Sequence, residues 1–168
     1  MLADGSRQIF SFLLAGEAVA SSLFGPRPDC FIETITPVTY RFYDRAAVRN
    51  LIFASPAAVD TIGRVRMEEQ WRTDALIVDL ARRLADERIA RLILDLRHRL
   101  QRRGSVQGFP PEFEFPLRRH HIADALGLTP VHVSKVLSDF RRRKLLDLNG
   151  RTLTLLDPAG LGRIAQMR

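Results

Sequence analysis

The spacing of apolar side chains changes character along the chain. In residues 7–43, short runs rich in aromatic and β-branched side chains are separated by turns that contain Gly and Pro. This pattern predicts at least three short strands of an antiparallel sheet with one buried face. From residue 44 onward, most apolar residues recur every three or four positions, which is the period of an amphipathic helix. The sequence therefore predicts an α+β fold that begins with strands and continues mainly with helices.

Two helix starts follow the predicted strands. Asp44 is expected to cap a short helix, RAAVRNLIF, that ends near Ser55, and Ser55 followed by Pro56 has the pattern of a second helix start. The second helix is predicted to reach Arg83, which at about 1.5 Å per residue gives a length of about 42 Å. A helix of this length extends beyond one small domain, so we expect it to pair with a second copy of the chain. A long surface helix lying across its own sheet is the alternative. The stripe expected to form the dimer contact consists of Val59, Ile62, Val65, Leu76 and Leu80.

A third amphipathic helix is predicted to begin near Asp86 and to end at Arg102-Arg103, just before Gly104. The segment SVQGFPPE then has the composition of a loop. Charged and aromatic residues alternate in EFEFP, residues 112–116, which indicates a short strand.

The segment RHHIADALGLTPVHVSKVLS, residues 119–138, has the pattern of a helix-turn-helix. Gly127 can adopt positive φ and end the first helix, and Thr129-Pro130 supplies the cap and first position of the second. The positions expected to face the core are Ile122, Ala123, Leu126, Val133 and Val136. An ordinary helical hairpin is the alternative, but it gives no reason for the composition of the outward face. That face carries Thr129, Pro130, Val131, Ser134, Lys135 and Ser138.

Two apolar segments follow the helix-turn-helix and flank Asn149-Gly150. Both of these residues accept the positive φ of a type I′ turn, so a β-hairpin is expected here. The helix-turn-helix is therefore predicted to carry a wing. Residues 158–168 are expected to form a short helix or a frayed tail.

Charge is distributed unevenly between the two halves of the chain. Residues 1–81 carry 8 Lys and Arg against 10 Asp and Glu, whereas residues 82–168 carry 18 against 9. The half that holds the helix-turn-helix is thus strongly basic, as expected of a protein that binds a polyanion and neutralises its phosphates. Charge alone does not distinguish DNA from RNA or from a membrane surface. A hydrophobic content of 46% is sufficient for a folded core, and no apolar run is long enough to span a bilayer. We expect a cytoplasmic protein.

Histidine and cysteine suggest other chemistry, which the sequence does not support. His120 and His121 are adjacent on a predicted helix and point about 100° apart, and no carboxylate pair or cysteine completes a site with them, with His98 or with His132. We expect no catalytic residue, no metal site and no cofactor, and we expect the histidines to be exposed or close to DNA. Cys30 is the single cysteine and is expected to pack in the core.

The order of these parts resembles the Crp/Fnr family of bacterial transcription regulators. RRHHIADALGLTPVHVSKVLSDFRRRKLL and its hairpin are similar to the family's winged helix-turn-helix, RQIFSFLLAGEAV to the middle of its N-terminal β-roll, and DERIARLILDL to the helix after its dimerisation helix. The resemblance implies a partial, cyclic-nucleotide-binding-like β-roll in residues 1–54, a dimerisation helix in 55–84 and a DNA-binding domain in 85–168. It further implies a homodimer that binds a near-palindromic promoter site and contacts RNA polymerase.

Departures from the family pattern concern the sensor. The chain resembles a member that lacks the front half of the β-roll. Ala20-Ser21 and Pro28-Asp29 stand where cyclic-nucleotide-binding members carry Gly-Glu and Arg-Ser, so we expect no binding of cyclic AMP. The cysteine cluster of the iron-sulfur branch is missing. A truncated dimerisation partner that modulates a full-length relative is the alternative function, and a cellular protein that begins before Met1 is a further alternative.

The family pattern also assigns roles at the DNA. It implies that the second helix of the motif presents base-reading side chains at Pro130, Val131 and Lys135, with Ser134 and Ser138 beside them. Many members have Glu and Arg at the positions of Val131 and Lys135, so the preferred half-site is expected to differ. The residues expected to contact phosphates are Arg119, Thr129 and Arg151.

Overall fold

The computed structural model describes residues 7–18 and 31–166. Within them the chain has an α+β fold, as predicted, and the helices from Asp44 onward follow the predicted order. The elements are α1 (Arg45–Ala54), α2 (Pro56–Arg82), α3 (Ala85–Gln101), β1 (Glu112–Glu114), α4 (Arg119–Leu126), α5 (Pro130–Arg142), β2 (Leu146–Asn149), β3 (Thr152–Leu155) and α6 (Pro158–Ile164).

The strands predicted near the start of the chain are not formed by the residues that the structure describes. Residues 7–18 and 31–43 contain no strand, so the prediction of strands is wrong for these stretches. A strand requires a neighbouring strand to complete its hydrogen bonds, and the aromatic and β-branched composition that we used carries no information about that neighbour. The predicted features at Ala20-Ser21, Pro28-Asp29 and Cys30 lie in residues 19–30, outside the described residues.

The described residues group into two compact units. One unit contains residues 7–14 and 76–166, and the other contains residues 15–18 and 31–75. Helix α2 continues from one unit into the other. The predicted domain limits at residues 54 and 84 stay a prediction.

The larger unit has a hydrophobic core built by α3, α4, α5, α6 and the sheet. Burial of each large apolar side chain contributes about 1.5–3 kcal/mol relative to its exposure, so this set dominates the stability of the unit. The large side chains with less than 2% exposure are Ile89, Ile93, Ile122, Val133, Phe140, Leu146, Leu153, Leu155 and Leu161.

In the other unit, the helix starts are those that the sequence predicted. The side chain of Asp44 accepts a hydrogen bond from the N–H of Ala47 at 2.9 Å, and Ser55 Oγ accepts from the N–H of Ala58 at 3.4 Å. Helix α1 has no buried residue. Side-chain capping therefore defines these helix ends more clearly than apolar burial does.

The sheet is antiparallel with the strand order β1-β3-β2. EFEFP supplies β1, as predicted, and the wing is the hairpin of β2 and β3. The predicted turn type is wrong in one respect: Asn149 pairs with Thr152 as the last residue of β2, and Gly150 has a φ of 59°. Among the described residues of this turn, Gly150 alone has positive φ, because the two-residue loop is Gly150-Arg151 instead of Asn149-Gly150.

A buried acidic residue lies where α2 approaches α3. Asp79 is 8% exposed, and its Oδ1 lies 2.9 Å from the Nε atoms of both Arg83 and Arg91. Burial raises the pKa of Asp79 above its ordinary 3.8, and the two guanidinium groups oppose this change without cancelling it. The ionised carboxylate is therefore less favourable in the folded chain than in the unfolded chain.

This raised pKa predicts a pH-dependent stability. The folded-state pKa of Asp79 lies above the unfolded value. The contribution of this carboxyl group to the free energy of unfolding is therefore complete below pH 3.8 and is lost as the pH rises through the folded-state pKa. Asp79→Asn removes this ionisation. The free energy of unfolding of the variant should therefore increase relative to that of the wild type as the pH rises from about 4 to 7. Urea denaturation at several pH values measures the difference. Asp74→Asn, at an exposed position of α2, is the control. If the difference in free energy of unfolding between Asp79→Asn and the wild type does not change with pH, the pKa of Asp79 is not raised by folding.

Candidate nucleic-acid interface

The turn between α4 and α5 has the geometry that the sequence predicted. Gly127 ends α4 with φ 62° and ψ 41°, in the left-handed region. The N–H groups of Gly127 and Leu128 both donate to the carbonyl of Ala123. Thr129 Oγ1 then accepts from the N–H of His132 at 3.2 Å, and Pro130 is the first residue of α5. These bonds fix where one helix ends and the next begins.

The inward faces of the two helices form a close contact. Every position that was predicted to face the core is buried, with at most 8% exposure at any of them. Ala123 has the smallest side chain among them, which lets α5 approach α4 closely. These buried residues are Ile122, Ala123, Leu126, Val133 and Val136.

The predicted base-reading side chains occupy the opposite face of α5. Val131 is 80% exposed, and Pro130, Lys135 and Ser138 are exposed as well. Ser134 is half-buried, and its hydroxyl donates to the carbonyl of Pro130 at 2.9 Å, which leaves its oxygen as an acceptor. The structure therefore places all five on one side of a helix whose other side is fixed in the core. Their contact with bases stays a prediction.

The residues predicted to contact phosphates lie at the starts of α4 and α5 and in the turn of the wing. Arg119 is the first residue of α4 and Thr129 is the cap of α5, and both are exposed. Arg151 lies in the turn of the wing, and its Nη2 is 2.9 Å from Glu114 Oε1 on β1. Both side chains of this pair are more than half exposed, so the pair is weak and a phosphate can compete with Glu114.

The basic run that ends α5 is largely paired with acidic residues. Arg141 Nε is 3.0 Å from Asp147, and Arg142 and Arg143 both contact Asp139. The sequence pattern did not anticipate these pairs, although the i, i+3 and i, i+4 spacing to Asp139 is a signal for two of them. The paired run adds less to the attraction of DNA than its number of cations indicates.

The histidines differ from the expectation in one case. His121 is only 7% exposed, and its Nδ1 accepts a hydrogen bond from the N–H of Arg118 at 3.1 Å, which caps the start of α4. The expectation of exposure is wrong for His121, because the motif uses this side chain to pair the N–H group of the residue before α4. His120 lies beside it, with 4.1 Å between the ring centroids. No group of three potential metal ligands occurs among residues 7–18 and 31–166.

The stripe predicted to mediate dimerisation is partly covered in the single chain. Val59 is exposed, whereas Ile62, Val65, Leu76 and Leu80 are half-buried. Other apolar side chains of α2 are more accessible and were missed, because they depart from the three- and four-residue steps of the predicted stripe. These are Met67, Trp71, Ile77 and Val78, with exposures from 49% to 61%. No helix in the described part of the chain is both long and apolar enough to cross a membrane.

Comparison with known proteins identifies the family. Residues 87–164 match the model of the Crp-like helix-turn-helix domain. The chain is 31% identical over 165 residues to the nitrogen fixation regulation protein FixK of Bradyrhizobium diazoefficiens, covering 98% of this chain and 68% of that protein. It is 32% identical to FixK of Rhizobium meliloti over 96% of this chain and 70% of the relative.

A solved structure agrees at the level of the fold. The structure of FixK2 from Bradyrhizobium japonicum superposes with a TM-score of 0.63 at 22% identity, over 71% of this chain and 58% of that chain. This chain thus spans somewhat more than half of the solved protein and about two thirds of the FixK sequences. The two FixK relatives are more than 30% identical to this chain, and the chain contains the helix-turn-helix domain. The chain therefore belongs to the Crp/Fnr family of bacterial transcription regulators.

Proposed function

We propose that the protein is a sequence-specific regulator that binds a near-palindromic promoter site as a homodimer. Its family consists of transcription regulators, not enzymes, and its C-terminal part holds their DNA-binding domain. The observation that carries the proposal is the outward face of α5, where Val131 and Lys135 are exposed while the opposite face is buried. A rigid helix with one free face is suited to the major groove.

The exposed side chains of α5 define what this face can recognise. Lys135 can donate to O6 or N7 of guanine, although an ammonium lacks the bidentate fork of arginine. Val131 can make only apolar contacts, for which the methyl group of thymine is the natural partner. Ser138 can bond to a base or a phosphate, and Ser134 has an acceptor available. We infer a half-site that contains a guanine and a thymine in neighbouring positions.

Two arginines and a threonine position the protein on the DNA backbone. Arg119 and Thr129 lie at the starts of the two helices of the motif, and Arg151 lies at the tip of the wing. Contacts of this kind fix the register of a protein on the duplex but carry no sequence information. We assign all three to phosphates.

Dimerisation through α2 completes the proposal. Two recognition helices must enter successive major grooves, so the half-sites should lie about 34 Å apart. The exposed apolar side chains of α2, among them Trp71 and Ile77, lose unfavourable contact with water when a second copy covers them. A regulator of this kind acts in the cytoplasm, and RNA polymerase is its natural further partner at a promoter.

Replacement of Lys135 tests base reading. Lys135→Ala should weaken binding to the preferred site by about 1–3 kcal/mol and spare most nonspecific binding, because a base contact is lost. The preferred site is obtained by selection from random duplex DNA, in which a palindrome is expected, and affinities are compared at one salt concentration. Lys144→Gly is the matched control, because it removes the other lysine at a residue whose φ of 54° suits glycine. Equal losses on specific and nonspecific DNA would refute base reading by Lys135.

Replacement of Arg151 tests the phosphate assignment. Arg151→Ala should weaken binding to all sequences similarly and reduce the slope of log affinity against log salt by about one. Glu114→Gln should have the opposite effect, with somewhat tighter binding to all sequences, because it removes the carboxylate that competes for Arg151. Salt titrations of the three proteins give the slopes. If the Arg151→Ala slope equals that of the wild type, Arg151 does not contact a phosphate.

A charge on α2 tests the dimer. Ile77→Asp should convert a dimer into a monomer, because Ile77 is 60% exposed in the single chain and a carboxylate there resists burial between two helices. Thr61→Asp is the control, since a residue sixteen positions away lies about 160° around the helix. Sedimentation velocity with and without palindromic DNA measures the assembly. A wild-type chain that stays monomeric on this DNA would contradict both the homodimer and the alternative of a dimerisation partner.

A further inference from the structure

The C-terminal end of α4 needs hydrogen-bond donors from outside the helix. The last four carbonyls of any helix have no donor within it, and in α4 they belong to Ala123, Asp124, Ala125 and Leu126. The carbonyl of Ala123 accepts from the two N–H groups of the turn that follows. The other three carbonyls accept from residues far away in the sequence.

Two of these donors belong to residues near the start of the chain. The N–H of Ile9 donates to the carbonyl of Asp124 at 3.1 Å, and Gln8 Nε2 donates to the carbonyl of Ala125 at 2.9 Å. The third donor is on α3, where Arg88 Nη1 donates to the carbonyl of Leu126 at 3.0 Å. All four carbonyls are therefore paired within the chain.

Residues 7–12, which we call the N-terminal clasp, are held at both ends. At one end Arg7 Nε lies 2.5 Å from the carboxylate of Asp124. At the other end the side chain of Phe12 is buried, and its carbonyl accepts from Nη2 of the buried Arg99 at 2.5 Å. The clasp thus crosses from α4 to α3 with a charged contact at its start and an apolar anchor at its end.

The charges in this contact fit the electrostatics of α4. A helix carries partial negative charge at its C-terminus, which cations stabilise. Arg7 and Arg88 both bring guanidinium groups to this end, one through Asp124 and one directly to the carbonyl of Leu126. The immediate neighbour of this end is Gly127, whose conformation sets the direction of α5.

We propose that the N-terminal clasp is a positioning element for the DNA-reading helix. This proposal rests on the proposed function, because the helix that the clasp positions is the one assigned to base recognition. The clasp supplies hydrogen bonds to the last turn of α4, and that turn carries Gly127 and Leu128, from which α5 departs. Without the clasp, the carbonyls of Asp124 and Ala125 depend on water, the last turn of α4 opens more often, and α5 is held less firmly in the orientation that the major groove requires.

Hydrogen exchange of the full chain without DNA tests the contact directly. Gln8→Ala should accelerate exchange of the amide protons of Gly127 and Leu128 by about two- to tenfold, the range expected from the loss of one hydrogen bond. Gln70→Ala is the matched control, because Gln70 is an exposed glutamine of α2 that bonds to Asp74. The same exchange in both variants as in the wild type would overturn the proposal.

DNA affinity then tests the positioning role. Gln8→Ala changes no charge, so its affinity for the selected site should fall by about two- to tenfold while nonspecific binding changes less. Accelerated exchange with unchanged affinity for the selected site would overturn the positioning role. A wild-type chain that binds no duplex DNA would instead refute the proposed function, and the exchange data would still decide whether the clasp holds the turn.

Discussion

The left-handed conformation of Gly127 is the constraint on which the recognition surface depends. A residue with a Cβ atom pays about 1–2 kcal/mol for this conformation, and here a Cβ atom would also lie 3.3 Å from Leu80 Cδ2. Glycine therefore permits both the change of direction after α4 and the close approach of α2. Because the turn fixes which face of α5 is buried against Ile122 and Leu126, it also fixes which face remains free.

The parts of the fold that were predictable are those encoded within a few residues. Asp44, Ser55 and Thr129 each cap a helix through an N–H group three residues ahead, so the signal and its partner lie in the same short stretch of sequence. The burial pattern of α5 follows from its own apolar period. The strands expected in residues 7–43 depended on partners elsewhere in the chain, and composition alone did not reveal that residues 8 and 9 bond to a helix instead. A contact across 117 residues leaves no local pattern.

In the candidate site, too, the features that depend on local sequence were predictable and those that depend on distant contacts were not. Exposure of Val131, Lys135 and Ser138 follows from helical periodicity and was predictable. The pairing of Arg151 with Glu114 was not, because it depends on the register of β1 against β3, which places Glu114 opposite Thr152. A count of cations predicts a positive charge for this half of the chain, but the acidic partners of the basic run decide how much of that charge is available to phosphates.

One side chain joins these parts of the larger unit. Arg88 of α3 donates to the carbonyls of Leu80 and Arg83 at 2.9 Å and to that of Leu126 at 3.0 Å. The end of α2 and the end of α4 are thus bound to the same guanidinium group, whose planar set of donors suits three acceptors at once. Such an arrangement resists independent movement of the two helix ends, because displacement of either end leaves a donor and a carbonyl unpaired in a half-buried site. A change at the end of the helix that we assign to dimerisation is therefore transmitted to the turn before the recognition helix by hydrogen bonds as well as by packing.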